Sequence, residues 1–412
     1  MILVLVFLYI ITRLHGLSSL PIFSDEAIYL RWAREIRFGD LLVSLTDGKE
    51  PLYYWLLSLF SWMPSELLVA RLLSVLIGLV TLLVIYFLAR RLFGQRAGLV
   101  SGFLYLISPF AHFYNSLALQ DGLLVMLLGI YIFFCFTKRG VLAGVIYGLC
   151  LWTKSISLPF LFVFFITNSP KTYLKFIIAV LALALPLIIL PQYGTVWTKN
   201  ANTFLGLGLF WQNMVMSFRD WMWLYFGLPL ILALLSPLLS KQLSGRIPSS
   251  IWILWAILAA PWFLEAMVGK IFFPRYLLYL VLPVFVLSGY IISVINNGWT
   301  ASFLLVFLVF SSFGFRLPEV ERWQYYYGWP SGFGVDKLKI ADKSVYTEDF
   351  GVGDILKLTN PVKSIRNLSS VKKGDVIVLD YTDGNILPPN TKLVQKICRQ
   401  GCKSIIRLYE VE

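Results

Sequence analysis

Residues 66–96 read ELLVARLLSVLIGLVTLLVIYFLARRLFGQR. One acid opens the stretch, residues 67–89 are apolar apart from Arg71 and a few small polar side chains, and Arg90, Arg91 and Arg96 close it. An apolar helix of about 20 residues crosses a bilayer, and basic residues at one end mark the cytoplasmic side. This stretch therefore reads as one membrane crossing with its arginine end inside.

The pattern recurs along the chain. Apolar runs fall near 1–17, 67–89, 97–117, 121–137, 140–153, 155–169, 173–191, 221–240, 249–268, 274–294 and 300–316. The pair at 140–169 is short and reads equally as one bent unit. Of the 412 residues, 58% are apolar and 14% charged, against roughly 25% charged in a soluble chain. No single water-soluble core hides that much apolar surface. Disordered, collagenous, disulfide-scaffold and ordinary cytosolic classes are excluded, which leaves a polytopic membrane protein of mainly α structure with about eleven crossings.

Charge placement orients it. Alternate connections carry Arg90, Arg91 and Arg96, then Lys138 and Arg139, then Lys171 and Lys175, then Lys241 and Arg246, with no acid among them. These face the cytoplasm. The acidic segment 18–66, the 192–220 loop and the tail 317–412 then face outward, and an odd number of crossings agrees. The first run, Met1–Ile11, lacks a basic leader and a small-x-small cleavage site, so it reads as a span rather than a signal peptide. The expected organisation is a membrane domain over 1–316, with amphipathic helices in 18–66, and a small α/β extracytoplasmic domain over 317–412. The N-terminus is expected in the cytoplasm of a cell whose plasma membrane holds the chain.

In the outer segment, Ser24-Asp25-Glu26 reads as a helix start, and Ile28, Trp32 and Ile36 recur at helical spacing. Residues 52–60, with Tyr53, Tyr54 and Trp55, suit the membrane interface. In the tail, Val345-Tyr346, residues 375–380 and residues 404–409 read as strands. Cys135 and Cys150 lie in apolar runs as packing residues, while Cys398 and Cys402 are either a pair or two free thiols. No Walker loop, dinucleotide fingerprint or internal repeat is present, and nothing points to nucleic acid.

Several side chains can carry chemistry. Asp25 and Glu26 form a carboxylate pair suited to general-base work or to holding a divalent cation; a helix first turn favours acids on electrostatic grounds alone. Asp121 is the lone acid between Glu66 and Asp220, and an acid at membrane depth points to function. Lys49, Arg71, Lys270 and Arg275 sit near the outer rim as candidates for an anionic ligand such as a phosphate, or as headgroup contacts. Lys154 is a weaker member. Tyr276, beside Arg275, and His112, about two helical turns before Asp121, are further lining candidates. Asp220 and Glu265 read as interfacial charges.

Taken in order, Ser24-Asp-Glu-Ala-Ile-Tyr29, Lys49-Glu-Pro-Leu-Tyr-Tyr-Trp-Leu56, Ala70-Arg-Leu-Leu-Ser74, Arg90-Arg-Leu-Phe-Gly94, Ser108-Pro109, Leu119-Gln-Asp121 and Pro274-Arg-Tyr-Leu-Leu278 resemble the GT-C membrane glycosyltransferases of the family 39 type, the group of protein O-mannosyltransferases and lipid A aminoarabinose transferases. The resemblance covers roughly residues 1–315. It implies a polyprenyl-phosphate-linked sugar donor and an acceptor hydroxyl glycosylated with inversion on the outer face. The acceptor is protein, lipid or glycan. By the same resemblance Asp25 is the base and Glu26 its helper, Lys49 and Arg275 hold the lipid phosphate, and Asp121 shapes the cavity. No cofactor is required, and a divalent cation held by Asp25, Glu26 and Asp121 is an option. Glu50, Gly48 and Ser116 depart from the family pattern. The rivals are a lipid-linked sugar flippase or transporter without transfer chemistry, and a non-catalytic scaffold.

Overall fold

A computed structural model describes residues 1–295 except 16, 19, 21, 195–197, 199–206 and 269–272, and in the tail residues 335, 338, 340, 343–347, 350–358, 360–364, 371–379, 390–399 and 404–411. The expected eleventh crossing at 300–316, the domain boundary after residue 316, Lys270 and Cys402 lie outside the described residues.

The chain opens with α1 (Ile2–Leu14), α2 (Ser24–Arg37), a 3₁₀ turn (Val43–Asp47), α3 (Leu52–Ser58) and α4 (Glu66–Phe93). It continues through α5 (Gln95–Ile107), α6 (Pro109–Asn115), α7 (Gln120–Phe136), α8 (Gly140–Thr153), a 3₁₀ segment (Ser155–Leu161), α9 (Phe162–Thr167) and α10 (Pro170–Ile188). Then come α11 (Phe210–Met216), α12 (Trp223–Phe226), α13 (Leu228–Leu234), α14 (Ser236–Ser244), α15 (Ser249–Val268), a 3₁₀ segment (Pro274–Leu280) and α16 (Val281–Val294). Every apolar run read from the sequence within the described residues is helical.

By length and composition, four helical stretches among the described residues suffice to cross a membrane: Glu66–Phe93, Pro170–Ile188, Ser249–Met267 and Pro274–Val294. The α5–α6 pair adds a fifth if its two arms are one span. The pair is bent by 66°, where Ser108 Oγ caps the Ala111 N–H at 3.2 Å and Pro109 takes the first position of α6. Proline has no N–H to give the preceding turn, so a helix stops before it and a new one starts at it. The remaining apolar helices are shorter, at 10–17 residues.

Burial separates centre from rim. The Pro274–Val294 stretch is 89% buried, whereas Pro170–Ile188 is 22% buried and turns Leu174, Ile178, Leu181, Leu185 and Ile188 outward. Without a hydrophobic drive between helices in lipid, small residues permit close approach. A Cβ on Gly144 of α8 would sit 2.6 Å from the Phe176 carbonyl of α10, and one on Gly289 of α16 would overlap Ser101 of α5.

The tail forms β1 (Val345–Thr347), α17 (Phe350–Leu356), β2 (Val362–Ser364), β3 (Val376–Leu379), β4 (Thr391–Arg399) and β5 (Ser404–Val411). These make a mixed sheet of order β2-β1-β3-β5-β4, with β2, β1 and β3 parallel and β3, β5 and β4 antiparallel. Strands β1, β3 and β5 match the sequence reading. Strands β2 and β4 add to it. The tail docks on α2: Ala27 shares a buried cluster with Val345, Val352 and Ile406, Arg31 pairs with Asp354 at 3.3 Å, and Arg34 donates to the Leu358 carbonyl. The acidic segment and the tail are therefore packed together.

Candidate active site

Helix α2 brings Asp25 and Glu26 into its first turn, where free backbone N–H groups favour acids. Successive residues on a helix point about 100° apart, and these two carboxylates meet different surroundings. Glu26 is fully buried. Its oxygens accept from Arg71 Nε (2.9 Å) and Nη2 (2.7 Å), from the Phe23 amide (3.0 Å) and from the Ala118 amide (2.8 Å). Arg71 also donates to the Leu17 and Leu20 carbonyls. This is a complete internal brace joining α2, α4 and the chain before α7. It uses Arg71 inward, away from the anion-binding place expected of it.

Asp25 remains part-exposed and forms an ion pair with Arg275 of the 3₁₀ segment. Asp121, in the first turn of α7, pairs with Lys154 at 2.7 Å. The Lys154 ammonium lies 4.5 Å from the centre of the Tyr276 ring, with the Arg275 guanidinium 5.9 Å from the same ring. Asp121, Lys154, Arg275 and Tyr276 line one small cavity, joined there by Glu265 of α15 and Tyr279. Lys49 is within electrostatic reach of Asp121 and of Glu50.

An aromatic wall supports this arrangement. Tyr29, Trp32, Tyr53 and Tyr54 pack with ring centres 4.9–6.0 Å apart, distances at which aromatic pairs attract. The Tyr54 hydroxyl donates to Gln120 Oε1 at 2.8 Å, which ties α3 to the residue before Asp121. Burial pushes the Tyr29 phenol well above its ordinary range, with the Asp25 charge adding to the shift, so it stays neutral beside the carboxylates.

Glu50, a departure from the family pattern, is buried and accepts the Ser155 amide at 2.9 Å. It thereby pins the loop that carries Lys154. His112 sits elsewhere: its Nδ1 lies 2.9 Å from Arg13 Nη1, and Arg13 also donates to the Leu106 carbonyl.

The structure thus gathers Asp25, Asp121, Arg275 and Tyr276, with Lys49 in electrostatic range. It places Glu26 and Arg71 in the brace and His112 against α1. Lys154 has a fuller part than its sequence position suggested, and Glu265 lines the cavity although it read as an interfacial charge. The rule that singled out Asp121, an acid inside an apolar run, applies equally to Glu265. Among the described residues no three His, Cys, Asp or Glu side chains converge to hold a metal. Asp25 and Asp121 each face a cation, and N–H donors occupy Glu26.

Residues 48–193 match the family model described as dolichyl-phosphate-mannose-protein mannosyltransferase. No curated protein sequence matches the chain. Among solved structures, ArnT from Cupriavidus metallidurans bound to undecaprenyl phosphate superposes with a TM-score of 0.63 at 15% identity, covering 99% of this chain and 97% of that one. Its apo form gives 0.61 at 14% identity over the same shares. The Archaeoglobus fulgidus oligosaccharyltransferase AglB, in complex with an inhibitory peptide and a dolichol-phosphate, gives 0.50 at 13%, covering 91% of this chain and 69% of that one. The resemblance read from the motifs agrees with both findings: residues 48–193 match that family model, and the chain shares its fold with the two ArnT structures.

Proposed function

We propose that this chain is a multi-pass membrane glycosyltransferase that takes a sugar from a polyprenyl-phosphate carrier and transfers it, with inversion, to an acceptor hydroxyl on the extracytoplasmic face. The observation that carries the reading is the pairing of Asp25 with Arg275 beside that of Asp121 with Lys154 at one cavity. Support comes from the family model over 48–193 and from a fold shared with a protein solved with undecaprenyl phosphate.

In this reading Arg275 and Lys49 take the phosphate. Once Arg275 turns its donors to the phosphate, Asp25 is left to accept a proton. The acceptor O–H gives that proton to Asp25 as its oxygen bonds to the anomeric carbon. The carbon–oxygen bond to the phosphate breaks on the opposite face, and the electron pair leaves on the carrier phosphate. Cations on the departing group and a base on the incoming one are the two terms such a displacement needs. Lys154 and Asp121 hold the cavity's shape and charge. The positive charge comes from side chains, and no step is routed through a metal. The outward side is assigned from the basic connections, with the N-terminus inside and the tail outside in a plasma membrane. The sugar is a hexose or a pentose, and the acceptor is protein, lipid or glycan.

The test is transfer by purified protein supplied with polyprenyl-phosphate sugars. Asp25→Asn is expected to remove it while leaving the fold intact. Full transfer by that variant would overturn the assignment of the base. Carrier movement across the bilayer that survives Asp25→Asn, without transfer by the parent protein, would favour the flippase reading.

A further inference from the structure

Three polar groups at the cavity are left over after the ion pairs are made. Glu265 is 6% exposed, and neither of its oxygens has a hydrogen-bond partner among the described residues. The Tyr279 hydroxyl and Asp121 Oδ2 are also buried without one. All three residues line the same cavity. Glu265 is within electrostatic reach of Lys154 and Asp121, and Tyr279 of Glu265. Buried polar groups are nearly always satisfied, and leaving one unsatisfied costs more than any other state of the group. A carboxylate kept without donors inside an apolar helix is a poor choice for stability and a reasonable one for a ligand.

We infer that Glu265, Tyr279 and the free oxygen of Asp121 form the saccharide-reading part of the site, receiving the hydroxyl groups of the carrier-linked sugar. The chemistry matches. Sugar hydroxyls both donate and accept, so they satisfy two carboxylates and a phenol together. A phosphate offers only acceptors and negative charge, which the Asp121 carboxylate repels. The phosphate therefore belongs at the Arg275 end of the cavity and the sugar at the Glu265 end. Glu265 lies on α15, outside residues 48–193 that match the family model, so it can set which sugar is accepted independently of the shared segment. The inference rests on the proposed function and extends it to specificity.

The experiment measures binding to purified full-length protein in lipid nanodiscs. The probes are bare undecaprenyl phosphate and undecaprenyl phosphate bearing a hexose, a pentose or an amino sugar. The variants are Glu265→Leu and Tyr279→Phe, with thermal melting as a control for folding. The expected result is a roughly ten- to hundredfold loss of affinity for the preferred sugar-bearing lipid in each variant. Affinity for the bare lipid stays unchanged, and melting of Glu265→Leu is unchanged or higher because a buried polar group without hydrogen-bond partners is gone. Parent-like binding of the sugar-bearing lipid by both variants would overturn the inference and leave the proposed function standing. Equal weakening of bare and sugar-bearing lipids would also overturn it, since the residues would then support the whole cavity. A parent protein that binds none of the four probes would remove the proposed function and the inference together.

Discussion

Asp25 and Glu26 are neighbours in one helical turn, yet their surroundings differ completely. Glu26 is fully buried with four N–H donors on two oxygens, so it has no lone pair free for an incoming group. Asp25 keeps 23% of its side chain exposed and pairs with Arg275, which lines the cavity. A carboxylate whose acceptors are filled by the protein is structure, and one that retains open directions beside movable cations can take a proton. The same contrast holds between Arg71, turned onto Glu26 and two backbone carbonyls, and Arg275, turned onto Asp25.

The sharpest way to break this contrast is to neutralise each acid in turn. Asp25→Asn should lower transfer by about 10²–10⁴-fold, the usual span for a general base, with an unchanged melting curve. Glu26→Leu should instead leave Arg71 buried without its counter-charge and cost about 3–5 kcal/mol of stability, seen as loss of folded protein on size-exclusion chromatography. Adding Arg71→Leu to it should recover part of that loss but not all, because the Phe23 and Ala118 amides still lack their acceptor. If Asp25→Asn unfolded the protein while Glu26→Leu did not, the division of roles would be reversed.

Lys154 sharpens the contrast further, because it is both a cavity wall and a partner. Lys154→Met leaves Asp121 buried without its cation and should lower donor affinity about tenfold or more, with Lys154→Arg restoring much of it. Parent-like donor titrations for Lys154→Met would remove it from the site.

Glu50 gives a pH-dependent version. Burial raises its carboxyl above the ordinary range, and the Ser155 amide pulls it partly back. A carboxyl raised in the folded state contributes stability that is fully present below its unfolded pKa and is lost as pH rises through the raised one. Glu50→Gln should therefore melt like the parent in acid and above it at higher pH. Glu50→Ala, which loses the acceptor for Ser155, should melt lower throughout. A Glu50→Gln difference that did not vary with pH would contradict the burial argument. The smallest expected effect is at the docked tail. Arg31→Ala or Asp354→Ala breaks a part-exposed pair and should change stability by no more than about 1 kcal/mol, measured by thermal unfolding.

Most of the helical architecture was legible because bilayer crossing demands long apolar runs, and such runs survive any tertiary arrangement. The outer acidic segment was legible because so few acids occur elsewhere. Asp25, Lys49, Asp121 and Arg275 stood out by charge in apolar surroundings and by order along the chain. Glu265 read as an interfacial charge, because nothing local shows that α15 turns this acid into the cavity lined by Lys154 and Arg275. The split between Asp25 and Glu26 was equally invisible: it depends on Arg71 and on the backbone amide of Ala118, and an amide leaves no trace in residue type. Strands β2 and β4 were missed for opposite reasons. One is three residues long, and the other carries three basic residues along its nine.

The spacing of these partners along the chain also orders how the molecule is made. Glu26 finds Arg71 45 residues later and the Ala118 amide 92 residues later, so its pocket closes early in synthesis. Asp25 must wait for Arg275, 250 residues further on. A ribosome feeding this polypeptide into the bilayer thus supplies both partners of the Glu26 brace first and those of the Asp25–Arg275 pair near the end, so half-made copies carry the proposed base without its cation.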